Sequence, residues 1–307
     1  MFSPPQRGGK YTAVLPQGFV RGTFPAVNGM RDRREEWRSW PANVLTFMNL
    51  GAGALVCWWA ASEFDLGWAP AEWLDSLGWM KAWMDVTGSS ERRVAGILWL
   101  LAVWGFGQLC DLLDGAVARA MGADGAQGAM LDSMADLVSA GLAPAFIGMA
   151  LMMEWRVAGG LPDGLEWTPI LALLVMLAGA WRLARYARGS GIPEDRRFDF
   201  AGIPAPMAAL YWGVVLWVWA AEGAASLDWT VWLGAVGVTL LPLGMVSRWP
   251  QFGFKTWGQD RGLDRTRIGW LMGTASLVIV YGAVGGALAL ISYPLTAALF
   301  IRLRPST

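Results

Sequence analysis

The chain of 307 residues contains no histidine and only two cysteines. Without histidine, Ser-His-Asp and Cys-His catalysis are excluded, as is every metal site with an imidazole ligand. Cys57 and Cys110 both lie within apolar runs, so neither a disulfide framework nor a zinc site is expected. Any chemistry must therefore come from carboxylates, hydroxyls and cations.

Charged residues are also scarce, at 16% of the chain, against about 25% in a typical soluble domain. Hydrophobic residues make up 55%, and the charges occur in short clusters between long apolar runs. This pattern indicates that the chain lies in a lipid bilayer. The formal net charge is zero, so bulk electrostatics gives no reason to propose nucleic acid as a partner.

The apolar runs predict an all-α, polytopic membrane helix bundle of about eight transmembrane helices, with six or seven spans left open. The last run is too long for one helix and is interrupted by glycines near its middle, so we divide it into two spans. The predicted spans lie at about 44–62, 94–119, 129–152, 168–188, 203–221 and 229–247, with two more between 268 and 301.

The start of the chain differs in composition from the rest. Residues 1 to 28 are polar and rich in glycine and proline, and we expect a disordered tail with no segment that is cleaved off. Residues 30 to 40 alternate arginine with tryptophan, which is typical of a juxtamembrane amphipathic helix at the bilayer interface. We therefore place a boundary between residues 1–40 and a transmembrane domain at 41–307.

The charges of the connecting segments predict the orientation. Lysine and arginine concentrate after the fourth and sixth predicted spans and near both termini, whereas the segments after the first, third and fifth spans are mainly acidic. Cations concentrate on the cytoplasmic side of membrane proteins. We expect a multi-pass protein of the inner or cell membrane with both termini in the cytoplasm.

Four carboxylates lie where apolar residues would be expected, at the cytoplasmic end of the second span and in the third. Asp111 and Asp114 share one helix face, as do Asp132 and Asp136 on the next helix, and the short glycine-rich turn at 122–128 makes these helices antiparallel neighbours. A single such aspartate could be a helix cap or an arginine partner. Each costs about 2.5 to 3.5 kcal/mol near the bilayer centre. Two divalent cations could neutralise all four, and an all-oxygen ligand set suits Mg²⁺, Mn²⁺ or Ca²⁺.

The aspartates belong to a longer pattern that resembles the motif of the CDP-alcohol phosphotransferase family. Its positions are Asp111, Asp114, Gly115, Ala118, Arg119, Gly128, Asp132 and Asp136. The resemblance implies that the first, second and seventh of these ligate two divalent cations, Mg or Mn. It also implies that the last is the general base with some metal contact, and that the CDP moiety is bound by Asp111, Gly115, Ala118, Arg119 and Gly128.

Three further stretches resemble the phosphatidylserine synthase branch of that family: PANVLTFMNLGAG at 41–53, LAGAWRLARYARG followed by FDFAGIPAPMAA within 177–209, and MVSRWPQFGFK at 245–255. The first departs from the branch pattern at Ala42, where proline is usual. The resemblance implies CDP-diacylglycerol and L-serine as substrates, CMP as a product and a homodimer. The charges of the connecting segments predict that the active site faces the cytoplasm.

Several other residues are candidates for substrate contacts. A serine carboxylate needs a cation, which Arg182 or Arg185 could supply, with Arg248 and Lys255 as further candidates, although cytoplasmic topology alone also explains cations there. Two residues near the start of the first span could contact the nucleotide or could be plain helix-start residues: Asn43 and Thr46.

Two other functions stay open. One is a phosphatidyltransferase of the same family that acts on glycerol phosphate, inositol phosphate or choline; a phosphorylated acceptor would need more clustered cations. The other is a cation transporter that uses the same aspartates as an ion path. Metal-dependent release of CMP by the purified protein would separate an enzyme from a transporter.

Overall fold

A computed structural model describes residues 31–61, 92–122, 126–161, 167–188, 198, 200–253 and 260–303. The chain divides into two compact units, Met1–Trp37 and Arg38–Thr307, and every candidate site residue belongs to the second. Lys255 lies outside the described residues. So do most of the expected tail, including residues 1–30, and the connection after the first span.

The described residues confirm the all-α class. The helices are α1 (Arg31–Ala61), α2 (Arg92–Met121), α3 (Ala126–Asp136), α4 (Ala143–Val157), α5 (Leu173–Ala187), α6 (Ala205–Glu222), α7 (Leu227–Val246) and α8 (Arg261–Leu303). A π-helical segment, Leu137–Leu142, joins α3 to α4, and short 3-10 segments precede α5 and α7. Two short strands, β1 (Phe200–Ala201) and β2 (Pro250–Gln251), pair in antiparallel orientation.

The first helix differs in one respect from the sequence-based division. α1 begins at Arg31 and continues to Ala61 with Pro41 inside it, so the segment expected as a separate interfacial helix is continuous with the first span. A proline removes one backbone donor without always ending a helix. The boundary at residue 40 and the interfacial position of the preceding residues stay predictions.

Seven stretches of the described chain are long and apolar enough to cross a membrane, within the range of six to eight that the sequence left open. The last of these is Val284–Leu303, the second half of α8. The multi-pass bundle predicted from composition is therefore confirmed.

α8 is a helical hairpin rather than a straight rod. Gly282 has a positive φ of 57°, which breaks the helix, and Trp270 Nε1 donates a hydrogen bond to Ser292 Oγ at 3.2 Å. Residues 22 positions apart would be on the order of 33 Å apart on a straight helix. A methyl group at Gly285 would lie 1.9 Å from the carbonyl oxygen of Leu277, so the second limb can begin there only with glycine. The break predicted in this run is confirmed, whereas among the described residues only the second limb, Val284–Leu303, meets the length and hydropathy of a membrane span.

Large aromatic side chains fill the core where small residues let helices approach. Trp155 of α4 and Trp212 of α6 are buried, and α7 passes both of them closely. Methyl groups at Gly234 and Gly237 would lie 2.2 Å and 2.6 Å from carbons of these two indole rings. This packing fixes α4, α6 and α7 relative to one another. The π-helical segment, which leads from α3 into α4, is attached to this group of helices.

Candidate metal and phosphoryl-transfer site

Three carboxylates from α2 and α3 lie close together. Asp111 and Asp114 of α2 and Asp132 of α3 each offer one oxygen, and these oxygens lie within 4.8 Å of one another. Asp114 is buried, and the other two are half-buried. The two aspartate pairs that the sequence placed on adjacent helices are thus brought together.

Asp136 lies beside this group without belonging to it. Its carboxylate interacts electrostatically with Asp111, Asp132 and Arg182. Neighbouring carboxylates repel one another unless a proton or a cation lies between them. Asp136 therefore interacts both with the carboxylate cluster and with a buried guanidinium.

Side chains from α1 orient the clustered carboxylates. Thr46 Oγ1 donates a hydrogen bond to Asp114 Oδ2 at 2.7 Å, and Asn49 Nδ2 donates to Asp111 Oδ1 at 3.0 Å. Gln108 Nε2 in turn donates to Asn49 Oδ1 at 3.3 Å. Thr46 and Asn49 are both buried, so these contacts are shielded from water.

Sequence reasoning did not identify Asn49 and Gln108. A signal was present, because each is a polar amide in an apolar run at a spacing of three from a candidate residue. Asn49 follows Thr46 by three positions, and Gln108 precedes Asp111 by three. That spacing places each pair on one helix face.

Small residues and two polar side chains border the carboxylates. A methyl group at Gly115 would lie 3.3 Å from Nη1 of Arg119, and one at Gly128 would lie 3.8 Å from Oδ1 of Asn43. Ala118 is half-buried on the same helix, and Arg119 is exposed. The residues that the family resemblance assigns to the CDP moiety therefore adjoin the site, while their contacts with a nucleotide stay a prediction.

The backbone changes its helical pitch immediately after Asp136. The π-helical segment Leu137–Leu142 begins at the next residue, and Trp104 Nε1 donates a hydrogen bond to the carbonyl oxygen of Ser139 at 2.8 Å. A methyl group at Gly53 of α1 would lie 2.6 Å from the Cα atom of Ser139. Single π turns are frequent at functional sites. Here close packing by α1 and α2 fixes the turn that directs Asp136.

The two arginines of α5 have different surroundings. Arg182 is only 6% exposed, and its guanidinium carbon lies 4.8 Å from the ring centre of Tyr186 and 5.6 Å from that of Phe200. It interacts electrostatically with Asp136, and its Nε has no hydrogen-bond partner in the part of the chain that the structure describes. Arg182 is thus a buried cation that faces the carboxylates.

Arg185 instead binds the backbone. Its Nη1 donates hydrogen bonds to the carbonyl oxygens of Val246 at 2.9 Å and Ser247 at 3.0 Å, and its Nη2 donates to that of Ala201. These bonds satisfy carbonyls at the C-terminal end of α7. Arg185 therefore connects α5, α7 and β1. Arg248, another candidate from the sequence, is exposed just after α7.

The residues present fit hard divalent cations. The cluster offers only carboxylate oxygens, which suits Mg²⁺, Mn²⁺ or Ca²⁺ rather than zinc. Thr46 and Asn49 each bond one oxygen of a clustered carboxylate, as is usual for side chains that support metal ligands.

Fold and site together describe a polytopic membrane protein with a carboxylate centre suited to divalent cations beside a buried arginine. The chain belongs to the CDP-alcohol phosphatidyltransferase family, whose model matches residues 40–243. The match includes all four aspartates and both arginines of α5.

Named relatives are similar over part of the chain. A CDP-diacylglycerol–serine O-phosphatidyltransferase of Mycobacterium leprae is 32% identical over 46% of this chain and 45% of its own length. An archaetidylserine synthase of Methanothermobacter thermautotrophicus is 32% identical over 44% of this chain and 50% of its own length. A CDP-diacylglycerol–serine O-phosphatidyltransferase of Methanocaldococcus jannaschii is 39% identical over 33% of this chain and 41% of its own length. The chain spans about half or less of the length of these relatives.

Proposed function

We propose that this protein transfers the phosphatidyl group of CDP-diacylglycerol to the hydroxyl group of L-serine and releases CMP. The observation that carries the proposal is the cluster of three carboxylates, with Asp136 interacting both with that cluster and with the buried cation Arg182. The names of the similar proteins support serine as the acceptor.

The carboxylate cluster prepares the phosphoryl group for attack. Asp111, Asp114 and Asp132 would hold two divalent cations, Mg or Mn, which supply positive charge to the diphosphate and to the departing nucleotide. Thr46 and Asn49 keep two of these carboxylates in one orientation. The exposed guanidinium of Arg119 beside Gly115 adds a cation for the diphosphate.

Asp136 serves as the general base. A serine hydroxyl is a poor nucleophile at neutral pH and needs a group that accepts its proton. Asp136 takes that proton while the hydroxyl oxygen forms a bond to the phosphorus of the phosphatidyl group. The bond between this phosphorus and the oxygen of CMP breaks, and CMP leaves with the electron pair. Because Asp136 is outside the group of mutually close oxygens, it can perform this step while the other three hold metal.

Arg182 binds the carboxylate of the acceptor. A planar guanidinium pairs with a carboxylate through two parallel hydrogen bonds. Arg182 interacts with Asp136, so a short amino acid can contact both side chains, with its carboxylate on one and its hydroxyl on the other. The guanidinium of Arg185 is already bound to three backbone carbonyls. A phosphorylated acceptor would need more than one cation near its phosphate, and Arg185 is therefore a poor second cation for it.

The orientation and the oligomeric state are part of the proposal. The cations after the fourth and sixth predicted spans support a cytoplasmic active site and cytoplasmic termini. The homodimer implied by the family resemblance stays part of the proposal, and the mass of the purified protein in detergent tests it.

A panel of acceptors tests the function directly. Purified protein is incubated with CDP-diacylglycerol, Mg²⁺ or Mn²⁺ and one labelled alcohol at a time: L-serine, glycerol 3-phosphate, inositol phosphate or choline. We expect labelled phosphatidylserine and one CMP for each lipid formed. Preferential use of another alcohol would identify a different member of the family, and absence of CMP release with every alcohol would contradict an enzymatic role.

A further inference from the structure

Gln251 carries a buried acceptor that the proposed reaction has not yet used. Its side chain is 1% exposed, and its Oε1 has no hydrogen-bond partner among the described residues. A buried carbonyl oxygen without a donor destabilises the folded protein, so such atoms are rare unless a ligand supplies the donor. Gln251 lies in the stretch MVSRWPQFGFK, and the proposed mechanism gives no residue of this stretch a role.

The strand pairing relates this side chain to Phe200, whose ring lies beside Arg182. Gln251 of β2 is directly opposite Phe200 of β1, and side chains of directly opposed residues project from the same face of an antiparallel pair. The ring of Phe200 lies 5.6 Å from the guanidinium carbon of Arg182. The Gln251 amide is therefore expected on the same face of the strand pair as the Phe200 ring, which lies beside Arg182.

Two buried polar atoms of opposite character, on residues that both adjoin Phe200, thus have no partner among the described residues. Arg182 Nε is a buried donor without a partner, and Gln251 Oε1 is a buried acceptor without one, in the part of the chain that the structure describes. An α-amino acid carries the complementary pair, because its carboxylate accepts and its ammonium donates. A plain alcohol or a phosphorylated alcohol offers no cationic donor to the amide oxygen.

We propose that Gln251 Oε1 accepts a hydrogen bond from the ammonium group of the acceptor, while Arg182 binds its carboxylate. The inference rests on the proposed function, since it assigns to the acceptor site a residue that recognises the amine of serine. Gln251 is then a specificity-determining residue, which separates amino acids from hydroxy acids of the same size.

The experiment compares an acceptor that has the amine with one that lacks it. The KM of L-serine and the inhibition constant of 3-hydroxypropionate, which retains the hydroxyl and the carboxylate, are measured for wild type and Gln251→Met. Methionine has nearly the same shape as glutamine but cannot accept a strong hydrogen bond. We expect the KM of serine to rise about ten- to hundredfold, the effect of one hydrogen bond to a charged group. The constant for 3-hydroxypropionate should stay within about threefold.

A second variant controls for packing. Gln251→Glu keeps the shape of the side chain and an acceptor oxygen. The new charge can alter how Arg182 binds the carboxylate of either ligand, and so change the KM of serine and the inhibition constant of 3-hydroxypropionate together. The preference for serine over 3-hydroxypropionate should nevertheless be retained. The KM of CDP-diacylglycerol should be unaffected in both variants and reports whether the protein is folded. If Gln251→Met does not fold, loss of the preference in Gln251→Glu would overturn the proposal.

The outcomes separate this inference from the proposed function. Equal increases for serine and 3-hydroxypropionate in Gln251→Met, or no change in either, would show that Gln251 does not recognise the amine, while the serine reaction of the wild type would still stand. A wild-type protein that does not use serine would instead refute the proposed function, and the inference with it.

Discussion

The hydrogen bond from Thr46 to Asp114 allows the carboxylate cluster to be tested by removing a single hydroxyl. Thr46→Val preserves the shape of the side chain but removes the donor that lies 2.7 Å from Asp114 Oδ2. The same hydroxyl is 3.1 Å from the carbonyl oxygen of Ala42, and since it has one hydrogen, the shorter contact with the charged acceptor should dominate. A hydrogen bond to a charged group contributes about 1.5 to 3 kcal/mol, or about ten- to hundredfold in a binding constant.

We therefore expect Thr46→Val to weaken Mn²⁺ binding about ten- to hundredfold, as is typical when a side chain supporting a metal ligand is removed. Electron paramagnetic resonance of the purified protein measures free Mn²⁺ without requiring turnover. Thr46→Ser, which keeps the hydroxyl, should bind nearly as well as wild type. Thr239→Val is a matched control, because this exposed threonine of α7 also bonds a carbonyl four residues earlier, that of Ala235 at 2.6 Å. Equal Mn²⁺ affinity in Thr46→Val and wild type would refute the reasoning.

The remaining predictions concern the base, the arginines and the orientation. Asp136→Asn should lower the rate of CMP release by at least about 10²-fold yet leave CDP-diacylglycerol binding within a few fold, and a comparable loss of binding would contradict its role as base. Arg182→Leu should raise the KM of serine about ten- to hundredfold, whereas Arg185→Leu should mainly lower thermal stability in detergent, and the reverse pattern would reassign the two residues. A single cysteine placed at 63–92 should react with an impermeant thiol reagent added outside cells, and one at 190–198 should not; opposite labelling would invert the topology.

The carboxylate cluster was largely predictable because its information is local. Asp111 and Asp114 share one face of a helix, Asp132 lies on the next helix, and only a few residues separate the two helices. Their meeting within 4.8 Å follows from helix periodicity and loop length. The hairpin within α8 was predictable for a similar reason, since glycine is favoured where φ is positive, as at Gly282.

The acceptor side of the site was less predictable because it depends on long-range contacts. Arg182 and Arg185 are equivalent in sequence pattern, yet one faces Asp136 and the other binds carbonyls of β1 and at the end of α7. That difference arises from the positions of β1 and the end of α7, which spacing on one helix does not encode. The position of Gln251 likewise depends on the pairing of two strands that are each two residues long.

The measurement that tests the central claim most directly is CMP release from CDP-diacylglycerol and L-serine by chelator-treated protein, with and without added Mg²⁺ or Mn²⁺. Wild type should release CMP only when the divalent cation is restored, and Asp114→Asn should stay inactive at cation concentrations that saturate the wild type. Release of CMP at the same rate in the presence of chelator, or full activity of Asp114→Asn, would contradict the assignment of the carboxylate cluster as the catalytic metal centre.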